Sequence, residues 1–153
     1  MSINGIPVQI KTEDKEGKLT QVETFYFPTF RKCPKLAKFP KSISRLETVI
    51  RKARRKLEIA SKTLEEGELE ELDAAAEMAN AANDELYDAD EKMTNEFENF
   101  VKTGLKAAGY KEPDIKHYME YVYMDRLDEL IHCSRMGAGR VDFFTEETPA
   151  PQS

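Results

Sequence analysis

The chain has 153 residues, 34% of them charged, with 29 acidic against 23 basic side chains and a net charge of −6. One domain's worth of length with this much charge, against roughly 25% in a typical globular domain, implies a narrow core built from helix seams; the negative total argues against a whole-protein nucleic-acid binder. No apolar run approaches the ~20 residues of a membrane span, and the first residues lack the basic start and apolar stretch of a secretion signal, so the expected compartment is the cytoplasm.

Residues 3–12 begin with Ile3 and then alternate, with Ile6, Val8 and Ile10 separated by polar neighbours, the pattern of a half-buried strand. Asp14, Lys15, Glu16 and Gly17 form a turn cluster in which Gly17 supplies a positive φ. A second β-prone run, 19–27, closes a hairpin. Phe25 and Phe27 share one face of it, while Val22, Thr24 and Tyr26 share the other. A two-stranded unit is marginal in water, so both faces need cover, from helices of the same chain or from a partner.

Pro28, Pro34 and Pro40 punctuate residues 28–41, which also carry Arg31, Lys32, Lys35, Lys38 and Lys41. Proline disfavours helix in the residue before it, so this stretch reads as an extended basic linker anchored by Phe30, Leu36 and Phe39. It is read as a solvated strap across an acidic helix, with an anionic partner as the alternative.

A basic helix is expected over 42–66, opened by a capping box of Ser44 and Glu47. Its seam is Ile43, Leu46, Ile50, Ala53, Leu57, Ala60 and Leu64, in steps of three and four. Gly67 suits its end. An acidic, alanine-rich helix follows over 68–102, with Gly104 and Gly109 marking its end. Folded back about Gly67, residues whose numbers sum to about 133 face each other, so that Leu64 meets Leu69 and Leu57 meets Ala76. Arg51, Lys52, Arg54, Arg55 and Lys56 then lie opposite the acidic stretch 77–84, and the pairing sets the register of an antiparallel arm. The same seam also suits a coiled coil between chains, so a homo-oligomer stays open.

A third helix is expected over 113–136, started by Pro113 and stopped by Gly137. Phe143 and Phe144 come next, either docked on the core or presented to a partner, and then a Pro- and Glu-containing tail, 145–153, expected to be disordered. The fold class is therefore mainly α with a small N-terminal β-hairpin: a single domain, 1–144, of an antiparallel two-helix arm plus a third helix.

Little of this carries chemistry. There is no Gly-rich phosphate loop and no spaced Cys/His metal signature, so no cofactor or metal is expected. Cys33 and Cys133 are a hundred positions apart and read as free thiols, a single disulfide being the alternative. His117 and His132 are too far apart to share a metal unaided. Asp125, Asp128 and Glu129, with Arg126 among them, read as a solvated helix face rather than an acid/base pair. An enzyme is not expected. The basic run of 51–56 resembles a nucleic-acid patch but is explained by pairing with the acidic helix. That helix has its own alternative reading, as an acidic mimic of a phosphate backbone.

The opening Ile3-Asn4-Gly5, the hairpin, the aromatic-Pro connector from Phe25 to Phe30, the helical body and the Thr/Glu/Pro end resemble, in their order, the small tail assembly chaperones of long-tailed bacteriophages. The long acidic helix departs from that family, and no binding residue carries over. The resemblance implies a non-enzymatic protein that binds an aggregation-prone tail component in the cytoplasm of an infected bacterium. The expected function is accordingly a protein-binding module of assembly-chaperone or adaptor type, with Phe25, Phe27, Phe143 and Phe144 as candidate partner-binding residues. The alternative is a nucleic-acid-linked protein.

Overall fold

The computed structural model describes residues 5–144; the expectations for Ile3 and Asn4 and for the tail fall outside them. The architecture is mainly α with a small sheet. Strands β1 (Ile6–Glu13) and β2 (Leu19–Phe27) form the expected hairpin, followed by a 3₁₀ turn over Pro34–Lys38. Helices α1 (Phe39–Glu66), α2 (Leu69–Ala107), α3 (Glu112–Met119) and α4 (Leu127–Met136) come next, and a two-residue strand, β3 (Val141–Asp142), is the last element among the described residues. Among the described residues no helix is long and apolar enough to cross a membrane.

The chain divides into two compact units. One holds the residues up to Lys38 and those from Glu98 onward; the other is Phe39–Phe97. Helix α2 supplies its first three-quarters to the second unit and its last turns to the first.

In the first unit the sheet order is β2-β1-β3, with β2 antiparallel and β3 parallel to the central β1. The hairpin register pairs Ile6 with Phe27 and Val8 with Phe25, so the alternation of both strands puts Ile6, Val8, Ile10, Phe25 and Phe27 on one buried face. Asp14 builds the turn: its Oδ1 accepts the amides of Glu16 and Lys18 at 2.8 and 3.0 Å, and its Oδ2 accepts the Thr20 hydroxyl at 2.8 Å. These bonds hold the Asp14 carboxyl below its ordinary value, the Thr20 hydroxyl contributing most. Gly17 has the expected positive φ, 79°.

Helices of the same chain cover the Phe25/Phe27 face. Tyr118 of α3 stacks on Phe25 at 4.8 Å, and Phe100 of α2 lies 5.2 Å from Phe27. Helix α2 ends at Ala107, between Gly104 and Gly109 as expected, and at Gly104 in its last turn the Phe27 ring occupies the space a β-carbon would need. Val22, on the other face, is exposed.

Three expected boundaries move. Residues 28–41 are not extended: Pro34 opens the 3₁₀ turn and Pro40 falls in the first turn of α1, where proline's fixed φ suits a helix and its missing N–H costs nothing. Ser44 consequently lies within α1, not at its cap. The connector meets α2 through Phe30, whose ring lies 6.4 Å edge-on to that of Phe100. It is also tied to α4, where the buried Ser134 hydroxyl donates to the Pro28 carbonyl at 2.7 Å and the Phe30 amide donates to the Ser134 carbonyl at 3.0 Å. The third helix of 113–136 is two helices, broken after Met119 and restarted by a 3₁₀ turn, Met124–Arg126. The break lets α3 reach Glu23 and Phe25 while α4 reaches Pro28 and Phe30. Gly137 ends α4 in the left-handed region, its amide donating to the Cys133 carbonyl. Cys33 and Cys133 are both free, and burial raises the Cys133 thiol above its ordinary value.

The second unit is the antiparallel arm. Phe39, Ile43, Met93 and Phe97 are buried in it, and part of its buried line is alanine on both helices at seven-residue spacing: Ala53 and Ala60 on α1, Ala75, Ala82 and Ala89 on α2. Small residues at these points permit close helix approach, while Leu46, Ile50, Leu57, Leu72 and Leu86 flank them half-buried. The register differs from the expected one. Lys56 Nζ lies 3.5 Å from Glu85 Oε1, which levels residues whose numbers sum to about 141 rather than 133. Leu69 is accordingly not against Leu64 but 86% exposed.

Candidate functional site

The four phenylalanines singled out for partner binding separate in the structure. Phe25 and Phe27 are fully buried in the sheet core. Phe143 and Phe144 come together with residues of two other segments around a half-open cavity of about 610 Å³ in the first unit.

Strand β3 is responsible. Val8 and Gln9 pair with Val141 and Asp142, and the Phe143 amide donates to the Gln9 carbonyl at 2.8 Å. The period-two alternation buries Val141 and Phe143 and leaves Phe144 half-exposed. Phe143 is thus only 3% exposed. It lines the cavity as its apolar floor. Phe144 forms the wall with Lys11 of β1, whose Nζ sits 4.8 Å from the ring centroid, a cation–π contact. Leu19 and Thr20 of β2 complete that side.

The opposite wall comes from the break between α3 and α4: Tyr123, Asp125 and Arg126. Arg126 Nη1 donates to Glu129 Oε1 at 2.6 Å, and Glu129, with Asp125 and Asp142 nearby, raises the guanidinium further above its ordinary value. Arg126 is therefore a permanent cation braced from behind. Of the acidic patch Asp125, Asp128 and Glu129, only Asp125 lines the cavity; Asp128 is exposed and Glu129 is the brace. Beside the cavity, Asp142 Oδ2 accepts from Arg140 Nη2 at 3.0 Å, whereas its Oδ1 is buried with no hydrogen-bond partner. An uncompensated carboxylate oxygen costs free energy, and Arg126 offsets part of it through space.

His117 is not among the cavity's lining residues. Its Nε2 lies 2.8 Å from Glu23 Oε2, both side chains about 40% exposed, and its ring packs against Tyr118 and Tyr121. The His117 bond, ahead of one from Thr12, pulls the Glu23 carboxyl below its ordinary value. Burial raises the neighbouring Tyr118 phenol. This pair ties α3 to β2. His132 is exposed on α4. Among the described residues no group of three or more His, Cys, Asp or Glu is placed to hold a metal ion.

Lys11, Tyr123 and Arg126 are the cavity residues that the sequence does not announce. Lys11 is an ordinary outward strand residue, and the residues from Tyr121 to Arg126 look like the middle of a helix. The strand alternation of Val141 and Phe143 was the one available signal for β3. No protein-family model, curated protein sequence or solved structure matches the chain.

Proposed function

We propose that the chain is a non-catalytic protein-binding module of assembly-chaperone or adaptor type that engages its partner at the cavity framed by Lys11, Tyr123, Arg126 and Phe144. One observation carries this reading: two cations and two aromatic rings from three separate segments converge on one half-open cavity with an apolar floor. Aromatic rings and arginine are the side chains that anchor protein interfaces. The lining favours a partner segment that brings an apolar or aromatic side chain to Phe143 and Phe144 and a carboxylate to Lys11 and Arg126. The resemblance to phage tail assembly chaperones supports the same class of function, and the partner would then be a tail component.

The test is affinity capture from the native host, followed by reconstitution of the captured protein with the purified chain. Phe144→Ala and Arg126→Glu are each expected to raise the Kd at least tenfold, about 1.4 kcal/mol. An unchanged Kd in both variants removes the cavity from the function.

A second reading has one observation in its favour. Among the described residues Arg51, Lys52, Arg54 and Arg55 are exposed and make no ion pair, so pairing with α2 does not account for the basic run. Nucleic-acid binding through it would weaken steeply with salt. The adjacent acidic helix opposes such binding.

A further inference from the structure

Charge on the arm is only partly matched within the chain: Lys56 holds Glu85 and Lys92 holds Asp88, while Arg45 and Lys52 make no ion pair among the described residues. Helix α1 carries eight basic and four acidic side chains; the part of α2 in the arm, Leu69 through Phe97, carries ten acidic and one basic. The contact Lys56–Glu85 marks one broad side of the hairpin. At 3.6 residues per turn, that side holds a second stripe on each helix, in steps of three and four, apart from the alanine line. On α1 it is Arg45, Val49, Lys52, Lys56 and Ile59. On α2 it is Ala74, Met78, Ala81, Glu85, Asp88 and Lys92.

Every one of these residues is exposed, including apolar ones that a solvated face does not need: Val49 at 41%, Ile59 at 55% and Met78 at 43%. In the register that the Lys56–Glu85 pair defines, Lys52 is level with Asp88, Ile59 with Ala81 and Val49 with Lys92. Basic or bulky residues of α1 thus stand level with acidic or small residues of α2 at Lys52, Lys56 and Ile59, while Val49 is level with Lys92.

We infer that this face is covered by a second copy of the same chain, two arms stacking into an antiparallel four-helix bundle. The charges choose the symmetry. A two-fold axis along the arm places α1 of each copy over α2 of the other at the same level, so Lys52 meets Asp88 and Lys56 meets Glu85 of the second copy. Ile59 then packs on Ala81 and Met78 across the interface, and the aliphatic stem of Lys92 covers Val49. A two-fold axis across the arm instead stacks α1 on α1, with Lys52 and Lys56 against their own copies, which like-charge repulsion disfavours. The interface is isologous and closed, as a two-fold dimer requires. The stripe runs about 27 Å along α2 from Ala74 to Lys92 at 1.5 Å per residue; about two helix diameters wide, it covers roughly 540 Å² per copy, the size of a small, reversible interface.

Sedimentation equilibrium and light scattering of the full chain, across a hundredfold concentration range at low salt, test the inference. The expected mass is about 35 kDa, twice the 17.5 kDa of one chain. Lys52→Glu and, separately, Ile59→Asp should each weaken self-association at least tenfold while far-UV circular dichroism stays unchanged. Combining Lys52→Glu with Asp88→Lys in one chain should restore association, because each reversed charge meets the other across the interface. A monomer throughout, an oligomer larger than a dimer, or a dimer indifferent to both single variants would overturn it. So would a monomer whose basic face retards a DNA duplex at low salt.

Discussion

Gly104→Ala separates a glycine that is merely tolerated in a helix from one the core demands. Gly104 lies within α2 and is buried. In an exposed helix interior the substitution would stabilise by ~1 kcal/mol, the helix-propensity gap between Gly and Ala. Here the added β-carbon would fall inside the contact distance of the Phe27 ring, whose Cε1 and Cζ are the nearest atoms. The ring has no room to yield. It is fully buried, tilted against Phe100 at 5.2 Å, and rooted on β2 opposite Ile6. Overpacking of this kind costs ~1–3 kcal/mol, and here the upper part of that range applies because a ring must shift as a rigid body. Against the propensity gain, the net destabilisation is about 1–2 kcal/mol. Urea unfolding followed by far-UV circular dichroism measures it. Phe27→Leu is the control: with the ring gone, Gly104→Ala should become neutral or stabilising, a coupling visible in a double-mutant cycle. A Gly104→Ala variant as stable as wild type, or no coupling to Phe27→Leu, would refute the packing argument.

Two further outcomes follow from particular contacts. Ser134→Ala removes a buried hydroxyl and leaves the Pro28 carbonyl without its 2.7 Å donor, so urea unfolding should show a loss of ~1–3 kcal/mol, whereas Ser134→Cys or a surface serine change such as Ser44→Ala serves as comparison. The Glu23 carboxyl, held below its ordinary value by His117 and Thr12, contributes stability that is present above the unfolded carboxylate range and lost as pH falls through its lower folded value. The stability difference between wild type and Glu23→Gln should therefore shrink as pH falls below the ~4.3 of an unperturbed Glu; a difference as large at pH 3 as at pH 5.5 would sink it.

How much of the cavity could be read in advance depends on how each residue reaches it. Phe143 and Phe144 were visible as an apolar pair near the chain's end, and the structure puts both on the cavity. Their roles diverge because β3 alternates: Phe143 turns into the core and Phe144 toward Lys11. Phe25 and Phe27, chosen because a two-stranded unit needs cover on both faces, are core residues, since strand alternation says which side chains share a face and nothing about what covers it. Tyr123 and Arg126 were hidden because no Gly or Pro marks the break between α3 and α4. Tertiary packing, with α3 on β2 and α4 on the connector, overrides a local pattern that reads as one helix.

The sequence by itself determined what is local or periodic. The hairpin with its Asp14–Gly17 turn, the two long helices meeting at Gly67, the helical character of the body and the segregation of charge along the arm all follow from periods and turn residues. Tertiary structure alone decided the rest. It set the arm's register, because alanines at seven-residue spacing select the line of closest approach and shift the level pairs from the expected sum to that of Lys56 and Glu85. It turned two prolines from breaks into helix starts, since their φ suits a first turn. It also added β3 beside β1, a pairing across more than a hundred residues whose two-residue length leaves almost no local trace.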